Sequence, residues 1–392
     1  MKVCFLVTRL PVPPWRGDQV RAYHHLRLLA ARHAITCVVL PLRPPPPADV
    51  AALAALGVAV EIVSVGLAGA PLALARVFAG DARPLQTLLF ARRRAVARVA
   101  ALTAAGDFDV VHAQLVRTLP YLPAGGRPPA VVDLIDALST STARRAAAAP
   151  GPLRALLAWE ARRLAACEAA LVRRGTPCLV VAESERAALG PGDVRVVPNG
   201  VDGDAFAFRD DGRAAGRLVF GGNLGYFPNV DAAIWLAREI FPRVRGAEPS
   251  AELRLVGARP ARAVRALAGA PGVSLAAAVP AMAPELAAAA VAVIPLRAGA
   301  GLQNKVLEAM AVGTPVVATP RATAGLDVRP GEHLLVADDA DGLARAAVAL
   351  LRDPWRARAL ARAARAFVER RYRWEDSAAG VEAAWEAARA RR

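Results

Sequence analysis

The sequence predicts an α/β protein built from two Rossmann-like, doubly wound parallel sheets, and three observations predict it. Short apolar runs alternate with longer helical patterns along the whole chain. The alternation breaks once, at the turn-forming cluster Pro198-Asn199-Gly200-Val201-Asp202, and then restarts. At 392 residues, 55% of them apolar, the chain is too long for one ordinary core and apolar enough to bury two.

In the first half, Val3–Val7 reads as a strand and Asp18–Arg32 as a helix, followed by strands Ile35–Leu40 and Val58–Val65. A basic helical region leads to strands Val110–His112 and Val131–Ile135. The long helix Gly151–Arg174 and strands Leu179–Ala182 and Val194–Val197 close this half. The second half runs strand Leu218–Phe220, helix Asp231–Phe241, strand Leu253–Val256, helix Ala261–Ala268 and strand Val273–Leu275. Helix Pro284–Ala289, strand Val291–Pro295, helix Gln303–Val312 and strands Val316–Ala318 and Leu334–Val336 follow. Helices Asp341–Leu351, Trp355–Arg371 and Glu375–Arg391 end the chain. Two domains with a cleft between them are expected, residues 1–198 and 199–372. The stiff run Pro44–Pro47 reads as a linker inside the first.

Composition excludes several classes. Cys4, Cys37, Cys167 and Cys178 show no C-x-x-C spacing, which excludes a disulfide-stapled secreted domain and a zinc ribbon and implies a reducing compartment. The amino terminus has a short apolar run without a small-residue cleavage pattern, so it reads as a strand and not a signal peptide. The stretch from Ala48 to Ala75 is cut by Gly57, Glu61, Gly66, Gly69 and Pro71, so it reads as helix, strand and loop and not as a membrane span.

The net charge is +16, and the excess is uneven: 24 basic against 13 acidic residues in 1–200, 26 against 21 thereafter. An anionic partner for the first half follows: lipid headgroups, a lipid-phosphate acceptor or nucleic acid. The dense stretch Arg76 to Arg98 is either a solvated helix face or a membrane-surface contact. Few aromatics and no recognisable motif argue against nucleic acid. Arginine has largely displaced lysine, and asparagine is scarce, as a high-GC coding bias produces. The exceptions are therefore informative. Asn199, Asn223, Asn229, Asn304 and the isolated Lys305 all fall in loops or at helix starts.

Ligands of open α/β sheets bind beyond the carboxyl ends of the strands, and that rule sorts the candidate sites. The first is Pro295 to Thr319, where a glycine-bearing loop (Gly299, Gly301, Leu302) runs into a helix starting near Gln303. Backbone N–H groups at a helix start attract anions. Lys305 and Glu308 share a helix face. Lys305 suits a phosphate and Glu308 suits the hydroxyls of a ribose, so the pair fits either a nucleoside diphosphate or an ordinary surface ion pair. Arg297 adds a charge beside them. The second site is Arg9 to Arg21, where Gly17 permits close backbone approach and Asp18 can cap the following helix, with Arg16 and Arg21 beside it. The alternative is a Pro-rich turn and a cap.

The third is Val131 to Ser139. Asp136 at the strand's end is placed to orient or deprotonate a hydroxyl, whereas Asp133 inside the strand reads as structural. The fourth is Gly221 to Asn229, where Asn223 can reach a diphosphate and Asn229 or Asp231 can cap the next helix. His112 either lines the cleft or packs in the core. Asp107-Phe108-Asp109 precedes its strand, and Asp338-Asp339-Ala340-Asp341 precedes a helix, so both read as turn or cap residues and not as metal sites. No metal-ligand spacing and no nucleophile elbow occur in the sequence.

VRVVPNGVD (Val194–Asp202) followed by KVLEAMAVGTPVVAT (Lys305–Thr319) resembles the large retaining glycosyltransferase family 4 of the GT-B fold. FDVVH, LRLVG, VAVIPL and RYRWED extend the likeness nearly end to end. RLPVPPWRGDQVRAYHHLRLLA, VVDLIDALS and GLQNKVLEAM resemble a narrower group, sugar transferases of bacterial exopolysaccharide (PEP-CTERM/EpsH-type) clusters. The resemblance implies a GT-B fold whose second domain holds a nucleotide sugar and whose first holds a glycan or lipid-linked acceptor. It also implies a last helix (373–392) packed back on the first domain.

By motif position Glu308 resembles the ribose-binding glutamate, Lys305 a basic residue near the diphosphate, and Gly17 the glycine of the first-domain loop. The N–H groups of Gly301, Leu302 and Gln303, with Arg297, would meet the diphosphate. Asp18, Arg21 and His112 would lie on the acceptor side, and Asp136 would stand where many members carry a histidine. No metal or other cofactor is implied. The setting implied is cytoplasmic, peripheral on the inner membrane. The family's E-x7-E motif is broken, because Ala300 replaces its first acid. An epimerase of the same fold and an inactive member are the alternatives.

Overall fold

The computed structural model describes residues 1–66, 70–299 and 301–391. The chain divides into two compact units, Met1–Pro198 with Trp374–Arg392, and Asn199–Arg373.

Among the described residues the first unit holds seven strands: β1 (Lys2–Val7), β2 (Ala34–Val39), β3 (Ala59–Ile62), β4 (Val110–Gln114), β5 (Ala130–Ile135), β6 (Cys178–Val180) and β7 (Val194–Val196). They pair in the order β3-β2-β1-β4-β5-β6-β7, all parallel. A parallel sheet is covered on both faces, which is why β1 is a continuous apolar run. Alternate residues of β1 feed two cores. Val3, Phe5 and Val7 meet Leu26 and Leu29 of α1 (Gly17–Leu29). Cys4 and Leu6 enter the other core, with Val99 and Leu164. Helices α2 (Leu138–Ala148) and α3 (Gly151–Arg173) follow β5.

The closing helix, Trp374–Ala390, completes this unit and packs Val381, Ala384 and Trp385 into the first core. Histidines line its seat. His24 stacks on Trp374 at 4.4 Å, and the His25 Nε2 lies 2.9 Å from the Ser377 hydroxyl. His33 lies 2.7 Å from the Glu382 carboxylate, and the Trp385 indole N–H donates to His112 Nδ1 at 3.1 Å.

The second unit has a six-stranded parallel sheet, order β10-β9-β8-β11-β12-β13. Its strands are β8 (Ala214–Gly221), β9 (Glu252–Val256), β10 (Val273–Ala276), β11 (Ala289–Ile294), β12 (Val316–Ala318) and β13 (Leu335–Val336). In each sheet the chain order reverses beside the first strand, between β1 and β4 and between β8 and β11. The loops after those strands flank the switch points where such sheets bind ligands.

Two of the helix starts that differ from expectation bear on the candidate site. The helix expected from Asp231 begins at α4 (Phe227–Trp235), because Pro228 in its first turn is pre-set for helical φ. Asn229 is therefore inside the helix, not its cap. The helix expected from Gln303 is α5 (Asn304–Ala311), with Gln303 at the cap position. The Asp109 carboxylate accepts the Lys2 N–H at 2.9 Å, at the amino end of β1, and Asp339 caps a helix by accepting the Gly342 N–H. No helix among the described residues is long and apolar enough to cross a membrane. Part of the Ala48–Ala75 stretch, residues 67–69, lies outside the described residues.

Candidate functional site

At the switch point of the second sheet, the turn after β8 and the start of α5 meet. The Lys305 ammonium donates to Asn229 Oδ1 and sits 4.9 Å from the centroid of the Phe220 ring. The Asn229 side-chain amide donates to the Asn223 carbonyl at 2.9 Å. Asn223 Oδ1 accepts the Gly225 N–H at 3.1 Å and fixes the turn. The Asn199 amide donates to Asn304 Oδ1 at 3.2 Å. All four asparagines of the chain and its isolated lysine thus gather around one helix start. Gly222 is required there. Its φ is +145°, and a Cβ would stand 3.0 Å from the Asn229 amide and 3.1 Å from the Lys305 ammonium.

Glu308 lies one turn further along α5, half-buried. Burial pushes its carboxyl up to about 7, against the pull of Lys305. Burial likewise lowers Lys305 to about 8, against the pull of Glu308. Among the described residues no hydrogen bond reaches the Glu308 carboxylate, so its acceptor capacity is open to hydroxyl donors. Among the described residues, the Gln303 side chain makes no capping hydrogen bond to α5. The preceding loop turns at Gly301 (φ +68°) and presses on Gly325, where a Cβ would come within 2.8 Å of the Gly301 carbonyl oxygen. Leu302 and Gln303 are half-buried in the same turn. Ala300 lies outside the described residues.

Arg297 departs from expectation. Its guanidinium is bound bidentately by Asp231, at 3.0 and 2.6 Å, and lies 4.8 Å from the Trp235 ring centroid. Its charge is already met by a carboxylate, and Asp231, expected as a cap, is that partner.

The first-unit candidates divide. Asp136 follows β5 directly, after Ile135, a β-branched residue held at φ +67°. Such a backbone is strained and is kept only where the surroundings enforce it. Burial, then the charge of Glu185, pushes the Asp136 carboxyl up to about 7, against Arg21. Glu185 accepts the Ala137 N–H at 2.8 Å, and Glu168 accepts the Ser139 N–H at 3.1 Å and its hydroxyl. Sequence reading missed both glutamates. Glu168 occupies a core position of α3 in line with Leu164, Leu171 and Val172, and an acid in such a stripe is the signal that could have found it.

Arg21 and His112, expected on the acceptor side, are both fully buried in the structure. Arg21 pairs with Asp133 at 2.6 Å and donates to the Val197 carbonyl at 2.8 Å. His112 stacks on Phe5 at 4.2 Å and approaches Asp133 at 3.7 Å. Burial alone would raise the Asp133 carboxyl, but Arg21 and His112 overcome it and hold the group ionised, well below the usual range. Asp18 does not cap α1: the cap position is Arg16, and the Asp18 carboxylate takes the Arg9 guanidinium. Gly17 opens α1 with no atom within 4 Å of where a Cβ would stand, so nothing within its own unit demands glycine.

Residues 215–353 match the family described as glycosyl transferases group 1. No curated protein sequence matches the chain. Among solved structures, Anabaena HepE in complex with UDP superposes with a TM-score of 0.70 at 15% identity, over 99% of this chain and 100% of that one. Sucrose-phosphate synthase from Thermosynechococcus elongatus gives 0.73 at 18% identity, over 100% of both. WaaG, a glycosyltransferase involved in lipopolysaccharide biosynthesis, gives 0.66 at 16%, over 97% and 98%. At such identities the likeness establishes the GT-B fold. The matched segment lies within the second unit, and together with the GT-B fold it supports a glycosyltransferase.

Proposed function

We propose that this chain is a retaining transferase of glycosyltransferase family 4. On this reading it moves a hexose-like unit from a nucleoside-diphosphate sugar to a hydroxyl of a glycan or lipid-linked acceptor. The setting is exopolysaccharide or other cell-surface glycan synthesis at the cytoplasmic side of the inner membrane. The observation that carries the reading is the convergence of Lys305, Asn229, Asn223 and the uncapped start of α5 beside Glu308. A diphosphate there meets the Lys305 charge and the first-turn N–H groups, and ribose hydroxyls donate to Glu308.

The glycosidic carbon–oxygen bond to the diphosphate breaks as the acceptor oxygen attacks the same carbon. The acceptor's proton passes to the departing phosphate oxygen, so no protein nucleophile and no metal ion is called on. Asp136 is read as the first-unit group that orients the acceptor hydroxyl. UDP is the first nucleotide to try, since HepE structures contain UDP and UDP-glucose.

The test is thermal unfolding of wild type and Glu308→Ala with UDP, GDP, ADP and CMP. A ligand at about 100 times its Kd stabilises by about 2.7 kcal/mol. One diphosphate should stabilise the wild type and not the variant. No response from either protein to any nucleotide rejects the donor site. Donor consumption without acceptor points to the epimerase.

A further inference from the structure

We propose that the tip of the α2–α3 hairpin is a docking wedge for an anionic lipid surface. Helix α3 runs for 23 residues, yet its first buried residue is Ala161. Its first six residues, about 9 Å of helix, are exposed, and the next four are only half-buried. Packing of an apolar face supplies most helix stability in proteins, so this length without a buried residue needs another explanation. Leu153 and Leu156, three apart and one turn from each other, are 50% and 51% exposed. They stand in a tip of alanine, proline and leucine, and exposed apolar surface of that kind marks an interaction site.

The charge around the tip selects the occupant. From Ala137 to Trp159 the sequence holds Arg144, Arg145 and Arg154 and no acid. Leucines that insert, with arginines whose stems let the guanidinium reach headgroups, suit an anionic bilayer. The foot of the helix is anchored. Glu160 accepts the N–H groups of Leu85 and Gln86 at 2.9 and 3.3 Å, and Arg163 donates to the Arg83 carbonyl at 2.8 Å. Trp159 sits at this level with Arg163 3.9 Å from its ring centroid, a ring and cation suited to the headgroup layer. The wedge gives the expected membrane contact of the first unit a location, and it stands apart from the donor site because lipid binding needs no nucleotide.

The test is co-sedimentation of the full chain with vesicles of phosphatidylcholine, alone or with about one-third phosphatidylglycerol. Wild type should favour the anionic vesicles at least tenfold, and less so as salt rises. Leu153→Glu/Leu156→Glu and Arg144→Ala/Arg145→Ala/Arg154→Ala should each lose at least tenfold, with unfolding temperature and nucleotide response unchanged. Equal binding to both vesicle types, or variants that bind like wild type, overturns the proposal. So does a leucine variant that turns a dimer into a monomer while keeping its lipid binding, for the face is then a contact between copies. Retained lipid binding with no nucleotide response would instead fault only the donor assignment.

Discussion

Replacing Glu308 by Gln should make the ligand-free protein more stable, in a way that pH reveals. In the folded state burial raises this carboxyl from 4.5 to about 7. Between those values the native state binds more protons than the unfolded state, so stability falls as pH rises through the window and is flat above it. A shift of about 2.5 units corresponds to about 3 kcal/mol, and part-exposure of the side chain reduces this to roughly 1–3 kcal/mol. Glutamine keeps the shape and carries no charge to desolvate. The variant should therefore match wild type near pH 4.5 and exceed it by that amount at pH 7.5. For a unit of this size the difference is roughly 2–10 °C in the second unit's unfolding temperature. Lys305, lowered from 10.5 to about 8, acts with the opposite slope and only above pH 8, outside the comparison. The assay is thermal unfolding across pH 4.5–7.5, with and without UDP. The same pH slope in both proteins would refute the burial argument, and an undiminished UDP response in the variant would refute the ribose role.

Nucleotide affinity should be bell-shaped in pH, highest between about 7, where Glu308 ionises, and about 8, where Lys305 loses its proton; a flat titration profile from pH 6 to 9 rejects it. Gly222→Ala should abolish the nucleotide response and cost about 1–3 kcal/mol, since its Cβ would crowd Asn229 and Lys305 at a strained φ; denaturant unfolding and UDP titration read both. Asp133→Asn should cost about 3–5 kcal/mol by leaving Arg21 buried beside a neutral partner, and Arg21→Met/Asp133→Leu should recover much of it. Burial lowers His25 and His112, aided at His25 by the Arg21 charge, so both are neutral in the fold and the unfolded chain takes up their protons first. Stability of the first unit should thus fall as pH drops from about 6.5 towards 5, seen in the emission of Trp374 and Trp385; an unchanged transition rejects this.

Periodicity made both sheets legible, because buried parallel strands are unbroken apolar runs. The composition bias was the sharper guide to the candidate site. The four asparagines and Lys305 are separated in sequence by up to 106 residues, and folding brings them together around α5. Long-range charge pairing was not legible. Arg21 and Arg297 looked like free cations because their carboxylates, Asp133 and Asp231, lie 112 and 66 residues away. Asn229 looked like a cap because asparagine favours that position, but Pro228 opens the helix before it. The strain at Ile135 has no sequence signature, since nothing about isoleucine announces a positive φ.

The closing helix sets a timetable. Trp385 and Val381 belong to the same core as Phe5, yet the ribosome makes them after the whole of residues 199–373. At about 5–20 residues per second, those 175 residues delay completion of the first unit by roughly 9–35 s. The amino-terminal half, first to emerge, is thus the last to finish. A nascent chain stalled before Trp374 would display an open apolar floor to every chaperone and protease it meets. A stop codon near residue 373 should consequently yield a chain that is degraded or aggregated, even though every residue of the proposed donor site has been translated.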